Sequence, residues 1–273
     1  MKHLLKIFLI FTALLFNNIS TNAQQIKFVQ IADAHYFGGI NYRYNVLKSA
    51  IEDINKQNDL DFVVFTGDNI DRPKEKDLIE FIQIIKKLKK PYYIIIGNHD
   101  VYKANGLSKA RYMEIVNGNN VFKKPSPNYV FCKNGFVFIV VDGAKEVIPG
   151  SNGYYKAETL NWLEKQLVKY KDEHVVILQH FPLIEPQPQR SHETYKAEEY
   201  LKILDKYDNV IAVISGHYHI NGEKMRNGVY HISSPTLLNE PNSYKIIEIS
   251  STKEFSPMIY TRLREFPITE YKE

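Results

Sequence analysis

The run YYIIIGNHD, residues 92–100, decides how this chain is read. Five consecutive large residues, Tyr92 to Ile96, make a strand without polar alternation, the pattern of a sheet covered on both faces. The run stops at Gly97-Asn98-His99-Asp100. A surface turn accepts Asn and Asp, but it has no need of an imidazole between them. An amide, an imidazole and a carboxylate at the end of a buried strand point instead to a site where chemistry is done.

Four other apolar runs stop at the same kinds of residue. IKFVQIADAH ends in Asp33 and His35, and DFVVFTGDNIDR in Asp68, Asp71 and Arg72; HVVILQH ends in His180, and NVIAVISGHYH in His217 and His219. Between the strands lie stretches with apolar residues at helical spacing, over residues 41–57, 74–90, 107–117, 156–170 and 194–207. Strands alternating with helices predict an α/β fold, and in open α/β sheets ligands bind beyond the carboxyl ends of the strands. NYVFCKNGFVFIVVDG reads as a hairpin around Asn134-Gly135. From Gly228 onward only strand patterns follow, which predicts a second sheet packed against the first. With no repeat, low-complexity tract or Gly/Ser linker, residues 24–273 read as one domain.

The first 23 residues read differently. MKHLLK is basic, IFLIFTALLF is a ten-residue apolar run, and NNISTNA is small and polar. That order matches a secretory signal peptide ending at Ala23, and the run is short for a membrane span. The expectation is an exported protein, periplasmic or secreted, without stable membrane insertion once the signal is gone. An uncleaved interfacial anchor is the alternative. Without Lys2 and Lys6 the chain keeps 33 basic and 31 acidic residues, a balance that gives no reason to expect nucleic acid as a partner. No basic, aromatic-interleaved stripe suggests a nuclease. Cys132, the single cysteine, cannot form an internal disulfide and reads as a small buried strand residue.

Asp33, His35, Asp68, Asn98, His180, His217 and His219 are the candidate metal ligands. Extended residues at i and i+2 point the same way, so Asp33/His35 and His217/His219 can each aim two donors into one site. Gly67, Gly97 and Gly216 precede polar residues, as sharp turns with close backbone approach require. Seven ligands are too many for one tetrahedral ion and suit two divalent ions sharing a carboxylate, the arrangement that clamps both oxygens of a phosphoryl transfer. Mixed imidazole and carboxylate ligation favours Mn, Fe, Zn or Ni over Ca or Mg. If Asn98 points inward, His99 is left over, because adjacent residues diverge.

The blocks Asp-x-His at 33–35, Gly-Asp at 67–68, Gly-Asn-His-Asp at 97–100, His180 and Gly-His-x-His at 216–219 resemble the calcineurin-like metallophosphoesterase family, in its order. The compact size and the Gly-Asn-His-Asp block look most like its class III cyclic-nucleotide phosphodiesterases. The resemblance implies a four-layer α/β/β/α sandwich with a dinuclear centre. One ion would be held by Asp33, His35 and His219 and the other by Asn98, His180 and His217, with Asp68 bridging and a metal-bridging hydroxide as nucleophile. It implies that His99 meets the leaving oxygen, that Asp71 orients His99, and that Arg72 contacts phosphate. Asp100 reads as a supporting or turn-capping residue.

The expected function is phosphate-ester hydrolysis on a small substrate, with cyclic nucleotides and other diesters as the leading class. A broad phosphomonoesterase or nucleotidase is the alternative within the enzyme class, and a catalytically silent binding scaffold the alternative outside it. His174, His192 and His231 have no motif partners and read as structural. The irregular stretch Phe181–Thr194, with Pro182, Pro186 and Pro188, reads as a surface loop from which Arg190 or His192 could reach a substrate. Tyr36, Tyr102 and Tyr218 are the tyrosines adjoining the motifs.

Overall fold

The computed structural model describes residues 24–119, 126–252 and 256–269; the segment read as an export signal lies outside them. In chain order the elements are β1 (Gln24–Ile31), α1 (Asn41–Asn55), β2 (Phe62–Phe65), α2 (Glu75–Ile85), β3 (Tyr92–Ile94), α3 (Lys109–Asn119), β4 (Tyr129–Lys133), β5 (Phe136–Val141), α4 (Ala157–Lys169), β6 (His174–Gln179), α5 (Ala197–Leu204), β7 (Val210–Ser215), β8 (Gly222–Arg226), β9 (Val229–Ser233), β10 (Ser243–Ser251) and β11 (Met258–Glu265). They form two mixed sheets flanked by helices, with strand orders β11-β10-β1-β2-β3 and β4-β5-β6-β7-β9-β8. β1, β2 and β3 run parallel in the first sheet, and β5, β6, β7 and β9 in the second.

The missing polar alternation has its reason here. Along β1, Ile26 and Phe28 enter the cluster between the sheets, while Val29 and Ile31 join the cluster that holds Val46, Leu47, Phe81 and Ile82 of the helices. Aromatic rings fill the gap between the sheets. Phe28 stacks on Phe62 at 4.6 Å, Phe131 stacks on Phe138 at 4.8 Å, and Phe62 meets Phe138 edge-on at 5.1 Å. Each such ring, fully buried, contributes about 1.5–3 kcal/mol. This dry core fixes the two sheets face to face, so the carboxyl ends of β1–β3 and of β6–β7 open onto shared space.

The tail departs from expectation. It makes no sheet of its own: β9 joins the second sheet, while β10 and β11 extend the first. Each sheet has a parallel βαβ centre whose free edge is completed by antiparallel strands. β8, with sequence GEKMR, carries no apolar alternation because it is an exposed edge, so period-two reading passes over it. Cys132 is exposed rather than buried. On edge strand β4, Tyr129 and Phe131 take the buried face, and alternation turns Cys132 to the other. The hairpin turn forms at Asn134 (φ 50°) and Gly135 (φ 84°), as Asn-Gly predicts.

Candidate metal centre

All seven candidate ligands lie just past the ends of five strands, at the end of the molecule where both sheets open. Asp33 and His35 follow β1, Asp68 follows β2, Asn98 follows β3, His180 follows β6, and His217 and His219 follow β7. Local backbone differs from the extended conformation that the i, i+2 reading assumed. Asp33 (φ 52°), His35 (42°), Asp68 (49°), His217 (73°) and His219 (58°) are left-handed. Only three other non-glycine residues among those described share that conformation. Each costs about 1–3 kcal/mol and folds a donor back toward a common point. Gly97 explains how the loops approach so closely: a Cβ there would lie 2.2 Å from the Asp68 backbone nitrogen.

The polar atoms converge. His35 Nε2 lies 3.1 Å from His219 Nε2, His180 Nε2 lies 3.1 Å from Asn98 Oδ1 and 3.3 Å from Asp68 Oδ2, and His219 Nε2 lies 3.5 Å from Asp33 Oδ1. Asp33, His35 and His219 form one group of possible metal donors, and Asp68, His180 and His217 another; His35, Asp68 and His99 form a third. His217 Nε2 is buried without a hydrogen-bond partner. An unpartnered buried nitrogen, and two imidazole nitrogens at contact distance, are costly arrangements that a divalent cation would satisfy. His180 Nδ1–H donates to Thr66 O at 2.8 Å, which leaves Nε2 as the ring nitrogen turned to the cluster, where a cation would take the place of its proton. The donor set therefore fits a metal centre.

Electrostatics agree. Burial opposes ionisation of Asp33 and Asp68, yet the surrounding histidines hold both carboxyls below the usual range. Burial likewise opposes charge on His180, but Asp68 overrides it and pushes the imidazole up to about 9. His217, buried and beside His180, is pushed down to about 3.

Around this cluster the expected roles fall unevenly. His99 is exposed, and its backbone N–H donates to Asp68 Oδ1 at 2.8 Å. Its Nδ1 meets the backbone carbonyl of Asp71 at 2.8 Å, not the carboxylate expected to orient it. The Asp71 carboxylate is taken by Arg43 Nη1 at 2.6 Å, and Arg43 also donates to His35 O at 2.6 Å. Sequence reading missed Arg43, an α1 residue outside every motif. Arg72 lies over the Phe37 ring at 4.9 Å, with its side chain 61% exposed, and does not line the cavity at the centre. Asp100 caps the turn as expected: Oδ1 accepts from Asn69 N and Ile70 N, and Oδ2 from Gly97 N and Asn69 Nδ2.

That cavity is about 170 Å³, walled by Asp68, Asn98, His99, His217, Tyr218 and His219, with Ser151, Gln189 and His192 at its rim. His192 therefore overturns its structural reading: its ring centroid is 4.9 Å from that of His217. It comes from the short turn Arg190–His192 in the loop Phe181–Thr194, where Gln189 Nε2 and Ser191 Oγ both lie 2.8 Å from its Nδ1. His174 bonds Ser251 at 2.6 Å, and His231 is buried on β9; neither lines that cavity. Ser151 Oγ donates to Ser191 O, and Asn152 Nδ2 to Glu193 O at 3.0 Å, joining the rim's two segments.

A family model described as calcineurin-like phosphoesterase matches residues 26–221. A probable glycerophosphodiester phosphodiesterase, GpdQ, of Arcobacter nitrofigilis is 28% identical over 209 residues, covering 70% of this chain and 71% of that protein. The 3′,5′-cyclic adenosine monophosphate phosphodiesterase CpdA of Haemophilus influenzae is 23% identical over 225 residues, covering 77% and 76%. Among solved structures, a dimetal phosphatase from Danio rerio aligns with TM-score 0.63 at 18% identity, covering 86% of this chain and 98% of that one.

Proposed function

The chain belongs to the calcineurin-like phosphoesterase family, a family of metal-dependent hydrolases, and on that premise we propose that it is an exported phosphodiesterase acting on small phosphate diesters. The observation that carries the reading is the convergence of carboxylates, imidazoles and an amide oxygen from five strand ends, with His217 Nε2 unpartnered at its centre. Asp33, His35 and His219 would hold one divalent ion and Asn98, His180 and His217 the other, with Asp68 between. Ions bound there supply Lewis-acid polarisation of the phosphoryl oxygens and lower the pKa of water to make a nucleophile at neutral pH.

The chain's own residues do the rest. Thr66 O fixes the ring of His180 through Nδ1 and turns Nε2 to the site. The Asp71 carbonyl engages Nδ1 of His99 and leaves Nε2 as the free ring nitrogen, which, protonated, can donate to a leaving oxygen. Arg43 neutralises Asp71 and pins the His35 carbonyl, keeping a competing carboxylate turned away from His99. Both named relatives are phosphodiesterases, which supports diesters over monoesters. Export rests on the basic, apolar and small-residue order of residues 1–23.

Stripped protein reconstituted with Mn²⁺ is expected to hydrolyse bis(4-nitrophenyl) phosphate and 3′,5′-cyclic AMP faster than 4-nitrophenyl phosphate, and to lose that turnover on chelation. Preferential cleavage of the monoester, or turnover indifferent to metal, would overturn the reading.

A further inference from the structure

Behind the rim lies a second hollow, of about 530 Å³, that shares no described lining residue with the centre's cavity. Ser151 and His192 line that cavity, and the residues that follow them, Asn152 and Glu193, line the hollow. Its floor is a pair of tyrosines. Tyr154 and Tyr195 are 38% and 59% exposed, with ring centroids 5.8 Å apart and planes inclined at 56°. Backbone sets the pair: Tyr154 N donates to Gly143 O at 2.9 Å, and Tyr195 N to Gly153 O at 2.8 Å. Adjacent rings held in place, open to water and rimmed by polar side chains, have the composition of a ligand groove.

A strained residue points to the same place. Among the described residues eight non-glycines have positive φ. Five belong to the metal centre, and Asn134 and Asn227 each precede a glycine in a hairpin turn, where asparagine is at home. Lys196 is left, with φ 57°. It follows Tyr195, lines the hollow, and has neither reason for its conformation. Such strain persists where the surrounding structure enforces it, and it gathers at ligand sites. Lys196 Nζ bonds Glu199 Oε1 at 2.9 Å and lies 5.8 Å from the centre of the Tyr195 ring.

We propose that this hollow is a docking site for a neutral glycan seated on the two tyrosines. The C–H face of a sugar ring is apolar and slightly positive, and it packs on the negative face of an aromatic ring. Sugar hydroxyls both donate and accept. The lining meets both needs: Lys145 donates and the Glu193 carboxylate accepts. Asn152 commits its Nδ2 to Arg190 O and Glu193 O and keeps Oδ1 as a further acceptor. Beside the Lys196–Glu199 pair, the described lining carries one cation, Lys145, and one anion, Glu193, a balance that suits a ligand without net charge. The volume falls within the range of small-molecule sites, about 300–1,000 Å³. Docking here needs neither metal nor turnover at the centre.

Full-length protein applied to an array of neutral, carboxylated and sulfated oligosaccharides tests this, with the best neutral binder then measured by titration calorimetry. Retention should favour the neutral glycans. Tyr154→Ala and Tyr195→Ala should each raise Kd at least about tenfold, whereas Tyr195→Phe, which keeps the ring, should change it by less than about twofold. Glu193→Gln should raise Kd about fivefold, the difference between a charged and a neutral acceptor. Thermal melting checks that the variants fold, and Glu193→Gln keeps the test open if an alanine variant is unstable. Chelation of metal should leave glycan binding intact. An array that retains no neutral glycan, equal or stronger retention of the acidic ones, or a Kd untouched by the substitutions would overturn the proposal. Binding lost on chelation would place the glycan at the metal centre and overturn it as well.

Discussion

The wall of the centre is braced from beneath, whereas its rim is held only from the side. Asp68 is 2% exposed, at the end of a parallel strand whose neighbours are in register on both sides, and the His99 backbone N–H fixes its carboxylate. His192 faces the same cavity from a three-residue turn in a loop. Its Nδ1 is engaged by Gln189 and Ser191 of that same loop, and the loop is tied to segment 151–152 by side-chain bonds. Strand-end donors over a packed core suit a site that must stay preorganised. Loop-borne donors suit a site whose selectivity is to be adjusted without disturbing the core.

That contrast predicts a graded series. Asp68→Asn removes the shared carboxylate and should lower both metal content and kcat/KM by at least about 10³-fold, as loss of a central electrostatic group does. If activity survived that change, the wall would not be the seat of chemistry. His99→Ala should lower kcat by about 10²-fold, at the low end for a lost general acid, with metal content unchanged. A metal position emptied by that variant would make His99 a ligand, as its grouping with His35 and Asp68 allows. His192→Ala should cost about tenfold in kcat/KM, the value of one hydrogen bond of about 1.4 kcal/mol, and should leave thermal stability unchanged. An effect as large as that of His99→Ala would erase the distinction between wall and rim.

The smallest effect on turnover belongs to a residue remote from both. Asp53 of α1 accepts from Arg264 Nε at 2.6 Å, Arg264 Nη2 at 2.9 Å and Tyr244 OH at 2.6 Å, tying the helix to β10 and β11. Burial opposes its charge, but the Arg264 hydrogen bonds win and hold the carboxyl below its usual range. A depressed folded-state pKa stabilises above the unfolded value, near 3.9, and that stability fades as pH falls through the folded value. Asp53→Asn should therefore cost about 1.5–3 kcal/mol at pH 7 with little change in kcat. The gap from the parent should close below about pH 4; a gap that persisted there would show that packing, not charge, carries the contact.

Much of the wall was legible because its signals are local. A mainly apolar run ending in Asp, Asn or His announces both a buried strand and a polar strand end, and β1, β2, β3, β6 and β7 all repeat it. The left-handed backbone at Asp33, His35, Asp68, His217 and His219 was not legible, since Asp and His adopt it more often than most residues but still only in a small minority of positions. Tertiary capture hid the rest. Asp71 stands at the expected place in the chain, but Arg43, arriving from α1, turns its carboxylate aside. His192 lacks a motif because its neighbours come from distant segments: His217 follows β7, and Ser151, bonded to the preceding residue, follows β5. The strands of the tail were recognisable by pattern, but their division between two sheets depends on which edges the parallel centres leave free.

The central claim is that the converging donors hold divalent cations on which turnover depends. Elemental analysis of stripped protein titrated with Mn²⁺, run alongside diester hydrolysis, tests it most directly. The account predicts that activity rises from nothing to its plateau as the chain takes up two ions, and that Asp68→Asn binds fewer. Full activity in metal-free protein, or uptake undiminished by Asp68→Asn, would contradict it.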